Sequence, residues 1–166
     1  MCLISEHAHA LQRLKELEAQ LNIEPAIPVT DLEMTSRNDY LSEMHKVGIE
    51  PIGLATPLDA QLTLTSKAEL DRIAPDLVYP ADLYISELEI DCEDYGIQAQ
   101  CDAAFKFHVS GVRLGLGSMP LGYHGFAITM DKDKNIYWLE PNAGFPYAGV
   151  WYQIGEESYF PDKVLV

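Results

Sequence analysis

The apolar residues of this chain change period at Gly111. Before it they recur every three or four positions; after it they alternate. A helix repeats its faces every 3.6 residues and a strand every two, so one pattern cannot serve both. The change predicts helices first and a sheet afterwards, an α+β arrangement. Residues 112–116, 123–130, 135–139 and 150–154 read as strands of an antiparallel sheet. Asp131-Lys132-Asp133-Lys134 reads as a hairpin turn between the second and third. Its Asp131-x-Asp133-x-Asn135 spacing is like the start of a calcium loop. However, Ile136 stands where the sharp turn needs Gly, and no Glu closes the loop, which favours a plain turn.

Ahead of Gly111, residues 5–21 predict an amphipathic helix, with Leu11, Leu14, Leu17 or Glu18, and Leu21 repeating at 3–4 spacing. A second helix begins near Ser36, carries Tyr40, Leu41 and Met44 on one face, and closes before Gly48. Residues 49–60, with Pro51, Gly53 and Pro57, read as loop, and 61–65 as a short strand. Ser66 and Glu69 have capping-box spacing and predict a helix over 67–74, stopped by Pro75. Residues 83–90 fit either strand or helix. Asp91 caps a helix over 92–107, with Tyr95, Ile97 or Ala99, Cys101 or Ala104, and Phe105 or His108 inward. There is no repeat or linker, so residues 1–166 read as one domain: a helical part over 1–48 and a core over 61–166.

Charge narrows the partners. With 26 acidic and 11 basic residues the net charge is -15, which excludes phosphate-directed nucleic-acid binding and disfavours anionic membranes. No run approaches the ~20 apolar residues of a membrane span. The start of the chain has no basic segment followed by an apolar one, the pattern of a secretory signal. Three cysteines with no CxxC pair predict free thiols in a reducing compartment, which suggests the cytoplasm.

One constellation carries chemistry. Cys92 follows the cap Asp91, and a helix N-terminus favours thiolate and supplies N–H groups that hold an oxyanion. His124 opens a strand between Gly122 and Gly125. Glu140 and Asn142 end the next strand, and counting back from the hairpin turn brings Glu140 near His124. An acceptor there would fix the imidazole tautomer. Glu140 is favoured over Asn142 for that place. The plainer alternatives are a small buried apolar cysteine and a histidine at a sheet edge.

Asp91-Cys92-Glu93-Asp94-Tyr95, the His124 strand and Trp138-Leu139-Glu140-Pro141 resemble motifs of the transglutaminase-like, papain-fold cysteine peptidases. They are most like phage-encoded and lectin-linked papain-like domains. The resemblance covers 91–144. It implies an α+β, papain-like (transglutaminase-like) core, with N-terminal helices followed by an antiparallel sheet. It implies Cys92 as nucleophile, His124 as base and acid, and Glu140 or Asn142 as orienting group. The expected function is a cysteine hydrolase or acyl-transferase acting on a protein or peptide, basic ones favoured, through a thioester. No cofactor and no metal is expected. Gly125 and the unassigned oxyanion donor, for which Gln61 is a candidate, depart from the family pattern. They motivate the alternative, a catalytically inactive papain-fold binding or accessory protein of a phage.

Overall fold

The computed structural model describes residues 26–53, 60–85 and 89–166. The helix expected over 5–21 lies outside them, as does part of the ambiguous 83–90 stretch. The described elements comprise eight strands and three α-helices. In chain order they are β1 (Leu32–Ser36), α1 (Arg37–Lys46), β2 (Glu50–Ile52), β3 (Gln61–Thr65), α2 (Lys67–Ile73), α3 (Cys92–Phe107), β4 (Arg113–Met119), β5 (Gly122–Met130), β6 (Ile136–Leu139), β7 (Trp151–Gln153) and β8 (Phe160–Leu165).

Six strands form one sheet in the order β2-β8-β4-β5-β6-β7, and β1 pairs with β3 in a separate antiparallel ribbon. β4 through β7 form the expected antiparallel run. The rest corrects the helix-led papain-like expectation: among the described residues, strands outnumber α-helices eight to three. β8 inserts beside β4, and β2 joins β8 in parallel. These strands escaped the alternation rule because each contains a proline, which removes a ladder donor. Pro51 is tolerated in β2, at the sheet edge. Pro161 sits beside the register shift between Leu116 and Gly117. A Cβ at Gly117 would lie 2.3 Å from the Phe160 carbonyl oxygen, so only glycine lets β8 approach there.

Helix boundaries follow their caps. Ser36 accepts from the Asp39 N–H and starts α1, whose Tyr40 and Met44 are buried as expected. Ser66 precedes α2 but makes no side-chain cap bond, and Glu69 pairs with Arg72 instead of closing the box. Asp91 and Asp94 form a reciprocal box at α3. The inward face of α3 is Tyr95, Gly96, Ala99, Ala103 and Phe107. Of the expected alternatives Ile97 or Ala99, Ala99 is the inward one, whereas Phe105 and His108 both face solvent.

Both faces of the central sheet are covered. Ala99, Ala103 and Phe107 of α3 pack with Leu70, Ile73, Ala127 and Leu139 on one side. Tyr40, Met44, Leu62 and Leu64 pack with Ile128, Met130 and Val164 on the other. β5 therefore reads as a nearly continuous apolar run from Phe126 to Met130. The turn after it holds as expected, but Asp131 is buried. It accepts from the Asn135 N–H at 2.9 Å and the Tyr137 hydroxyl at 3.2 Å.

Candidate functional site

Packing of α3 on β5 places the candidate residues. A Cβ at Gly125 would sit 3.0 Å from the Glu93 nitrogen and 3.1 Å from the Cys92 carbonyl carbon. Glycine at 125 is what lets the first turn of α3 rest against β5 beside His124. Cys92, Asp91, Glu93, His124 and Asn142 then share one cleft of about 690 Å³ with Tyr84, Tyr123 and Phe145. Gln61 lies in β3, exposed and opposite Ser36, and does not line the cleft.

His124 and Glu140 meet, with Nε2 and Oε2 2.8 Å apart. Strict register would place Asn142 across from His124, since Ala127 faces Leu139. The Glu140 side chain bridges the diagonal. Glu140 is fully buried, and its other contacts explain how a carboxylate sits there. Oε1 accepts from the Asn142 N–H at 3.0 Å, and Oε2 accepts from the Tyr159 hydroxyl at 3.1 Å. With Nε2 facing the Glu140 carboxylate, Nδ1 is the ring nitrogen left for another partner. The Phe145 ring, 4.9 Å away centroid to centroid, flanks the imidazole.

Asn142 serves the loop. Its Oδ1 accepts from the Gly144 N–H at 2.8 Å, while the Asn142 carbonyl accepts from the Phe145 N–H. These bonds hold the Phe145 end of the cleft wall. Tyr123 presents an exposed ring whose hydroxyl donates to Asp162 at 2.7 Å. Tyr84, also exposed, lines the same cleft.

Cys92 departs most from expectation. Its thiol donates to Glu93 Oε2 at 3.0 Å. Burial first, then that carboxylate, pushes the thiol up to about 12, against a smaller opposing pull from the Gly125 backbone. The same bond holds the Glu93 carboxyl below its usual range. A helix N-terminus should favour thiolate, but here desolvation and a neighbouring negative charge outweigh it. Asp91, Cys92 and Glu93 have ligand atoms within 4.8 Å of one another, but all three are already engaged in cap and thiol bonds.

Sequence reasoning missed Tyr159, Tyr84, Tyr123 and Phe145 as parts of this region. Tyr123 was legible as the neighbour of His124. Tyr159 was not, because nothing local marks the approach to β8 as the partner of Glu140. In the structure Tyr159 stacks on Trp138 at 3.8 Å and 3°, which fixes its hydroxyl over the carboxylate.

No protein-family description and no curated protein matches the sequence. Among solved structures, the chain is similar to one described as a PSL1a-E64 complex, with a TM-score of 0.56 and 13% identity. That match covers 80% of this chain and 51% of the other. It is also similar to the Polyporus squamosus lectin bound to the human-type influenza-binding epitope Neu5Acα2-6Galβ1-4GlcNAc, with a TM-score of 0.54 and 12% identity. Here the cover is 80% and 49%. The chain thus spans about half the length of these structures. At such identity the likeness is one of fold, and it corrects the expected papain-like, transglutaminase-like peptidase assignment. The hydrolase, peptide-substrate and phage-accessory expectations are corrected with it, since the second structure is described as a lectin bound to a saccharide; of the alternative, the binding reading stands closer.

Proposed function

We propose that the cleft between α3 and β5 binds a saccharide. The observation that carries this reading is the composition of its walls. Exposed tyrosine rings at 84 and 123 and the Phe145 ring stand beside Asn142, His124 and the Asp91–Glu93 carboxylates. Sugars present apolar C–H faces that stack on aromatic rings and hydroxyls that bond to planar polar groups, so a saccharide site needs both kinds of wall. In this reading Tyr123 and Phe145 contact the ring faces. His124, oriented by Glu140, presents Nδ1 to a sugar hydroxyl, and Asn142 positions the loop. The saccharide of the lectin neighbour supports the class of ligand. Among the described residues no lysine or arginine lines the cleft, so it suits the neutral part, Galβ1-4GlcNAc, better than the sialylated whole.

Calorimetric titration with Galβ1-4GlcNAc and with Neu5Acα2-6Galβ1-4GlcNAc tests this. The expected result is binding of the neutral disaccharide with a Kd near or below about 1 mM. It should weaken roughly fivefold in Tyr123→Ala, the worth of about 1 kcal/mol of lost stacking. No heat from either saccharide in the wild type, or equal binding in Tyr123→Ala, would overturn it.

A second ligand follows from the other neighbour, described in complex with E64. If E64 occupies this cleft, it should slow the alkylation of Cys92 by iodoacetamide and leave that of Cys101 unchanged. Equal alkylation of Cys92 with and without E64 would exclude it.

A further inference from the structure

A second cavity, of about 460 Å³, lies beside the first two turns of α3 and shares no lining residue with the cleft of His124. Asp94, Ile97 and Gln98 reach it from one face of that helix, at the three-and-four spacing that aligns side chains. The rings of Tyr79 and Tyr95 also line it and meet edge to face, with centroids 6.3 Å apart. Leu83 at 48%, Ile90 at 36% and Ile97 at 41% exposure leave three large apolar side chains open to this one space. A few hundred Å³ of apolar wall with a few placed polar groups is the usual form of a small-molecule site.

The polar groups of this cavity are one-sided. The Tyr79 hydroxyl donates to Asp102 at 2.8 Å, and the Tyr95 hydroxyl donates to the Pro80 carbonyl at 2.7 Å. Gln98 turns its amide nitrogen to Asp102 at 3.1 Å, and Lys106 holds the same carboxylate at 2.9 Å. The hydroxyl protons are thus committed, and the Gln98 amide oxygen is left facing away from Asp102. Asp94 has no proton to give; Oδ2 accepts from the Asp91 N–H at 3.1 Å, which anchors the side chain and leaves Oδ1. Among the described residues no lysine, arginine or histidine lines the cavity. A matching ligand brings an apolar body and its own donors. We propose that the cavity binds a small primary amine carrying an aryl group, as its ammonium ion. The aryl group fills the space among Leu83, Ile90 and Ile97 against the tyrosine rings, and the ammonium donates to Asp94 and to the Gln98 oxygen. The net charge of -15 raises the local concentration of such a cation. An alcohol of the same shape lacks that attraction, and a carboxylate is repelled by Asp94.

Titration of the isotope-labelled protein with phenethylammonium chloride, read by amide chemical shifts, tests this. Tyr79, Tyr95, Ile97 and Gln98 should shift together and saturate with a Kd of about 1 mM, while Tyr123 and Phe145 of the other cleft stay still. 2-Phenylethanol should bind about fivefold more weakly, the worth of one partly exposed charge contact, and phenylacetate should not bind. Asp94→Asn keeps an oxygen for the Asp91 N–H and should also weaken the amine about fivefold. Ile97→Lys, at an exposed position, brings the chain's own cation to the cavity and should abolish binding. Four results would overturn the proposal. One is no shift at about 10 mM amine. The second is shifts centred on the cleft of Tyr123 and Phe145. The third is equal binding of the alcohol or of phenylacetate. The fourth is an unchanged affinity in either variant.

Discussion

Glu140 has no exposed surface, yet its carboxylate takes bonds from His124, Tyr159 and the Asn142 backbone. A buried carboxylate is tolerated only when its acceptors are filled, and losing one donor leaves a desolvated lone pair. Tyr159→Phe should therefore cost about 1.5–3 kcal/mol in urea unfolding. A change below about 0.5 kcal/mol would mean that the hydroxyl contributes nothing. Cys92 gives the opposite lesson, a residue whose expected chemistry its neighbours suppress. Because burial and Glu93 raise the thiol, its alkylation rate should climb through pH 9 and 10 without levelling. Glu93→Gln removes the adjacent charge and should move that rise to lower pH. A plateau below pH 8 in the wild type would contradict this account. The His124–Glu140 contact was legible in sequence because a hairpin fixes cross-strand neighbours locally. The Glu93 effect was not, because the partner of a thiol depends on rotamers and burial.

At the scale of elements, α3 and β5 make the cleft, and glycine at 125 sets their distance. Gly125→Ala would force the Cβ against the Glu93 and Cys92 backbone, where neither atom belongs to a flexible side-chain end. Thermal unfolding should fall by several degrees, the equivalent of about 1–3 kcal/mol of overpacking. Saccharide binding should weaken with it as Cys92 and Glu93 move. Unchanged stability and unchanged binding would show that the helix can retreat at no cost. The capped start of α3 at Asp91 and the strands from β4 to β7 could be read from caps and period. β2 and β8 could not, since Pro51 and Pro161 break the strand signature and only the neighbouring ladder rescues them.

Across the whole molecule, the sheet is covered on both faces, and the cleft opens where the first turn of α3 meets the loop after β6. The short motifs around Cys92, His124 and Glu140 lie at this meeting point of elements. They suggested the wrong chemistry because order and spacing do not report a thiol's protonation or the aromatic walls around it. The most direct test of the account is to map the saccharide on the isotope-labelled protein by amide chemical shifts. Titration with the neutral disaccharide should move Tyr123, His124, Asn142, Gly144 and Phe145 together, with one saturation curve, and leave the β1–β3 ribbon still. Shifts confined to any other surface, or none at all, would contradict the assignment of this cleft as the binding site.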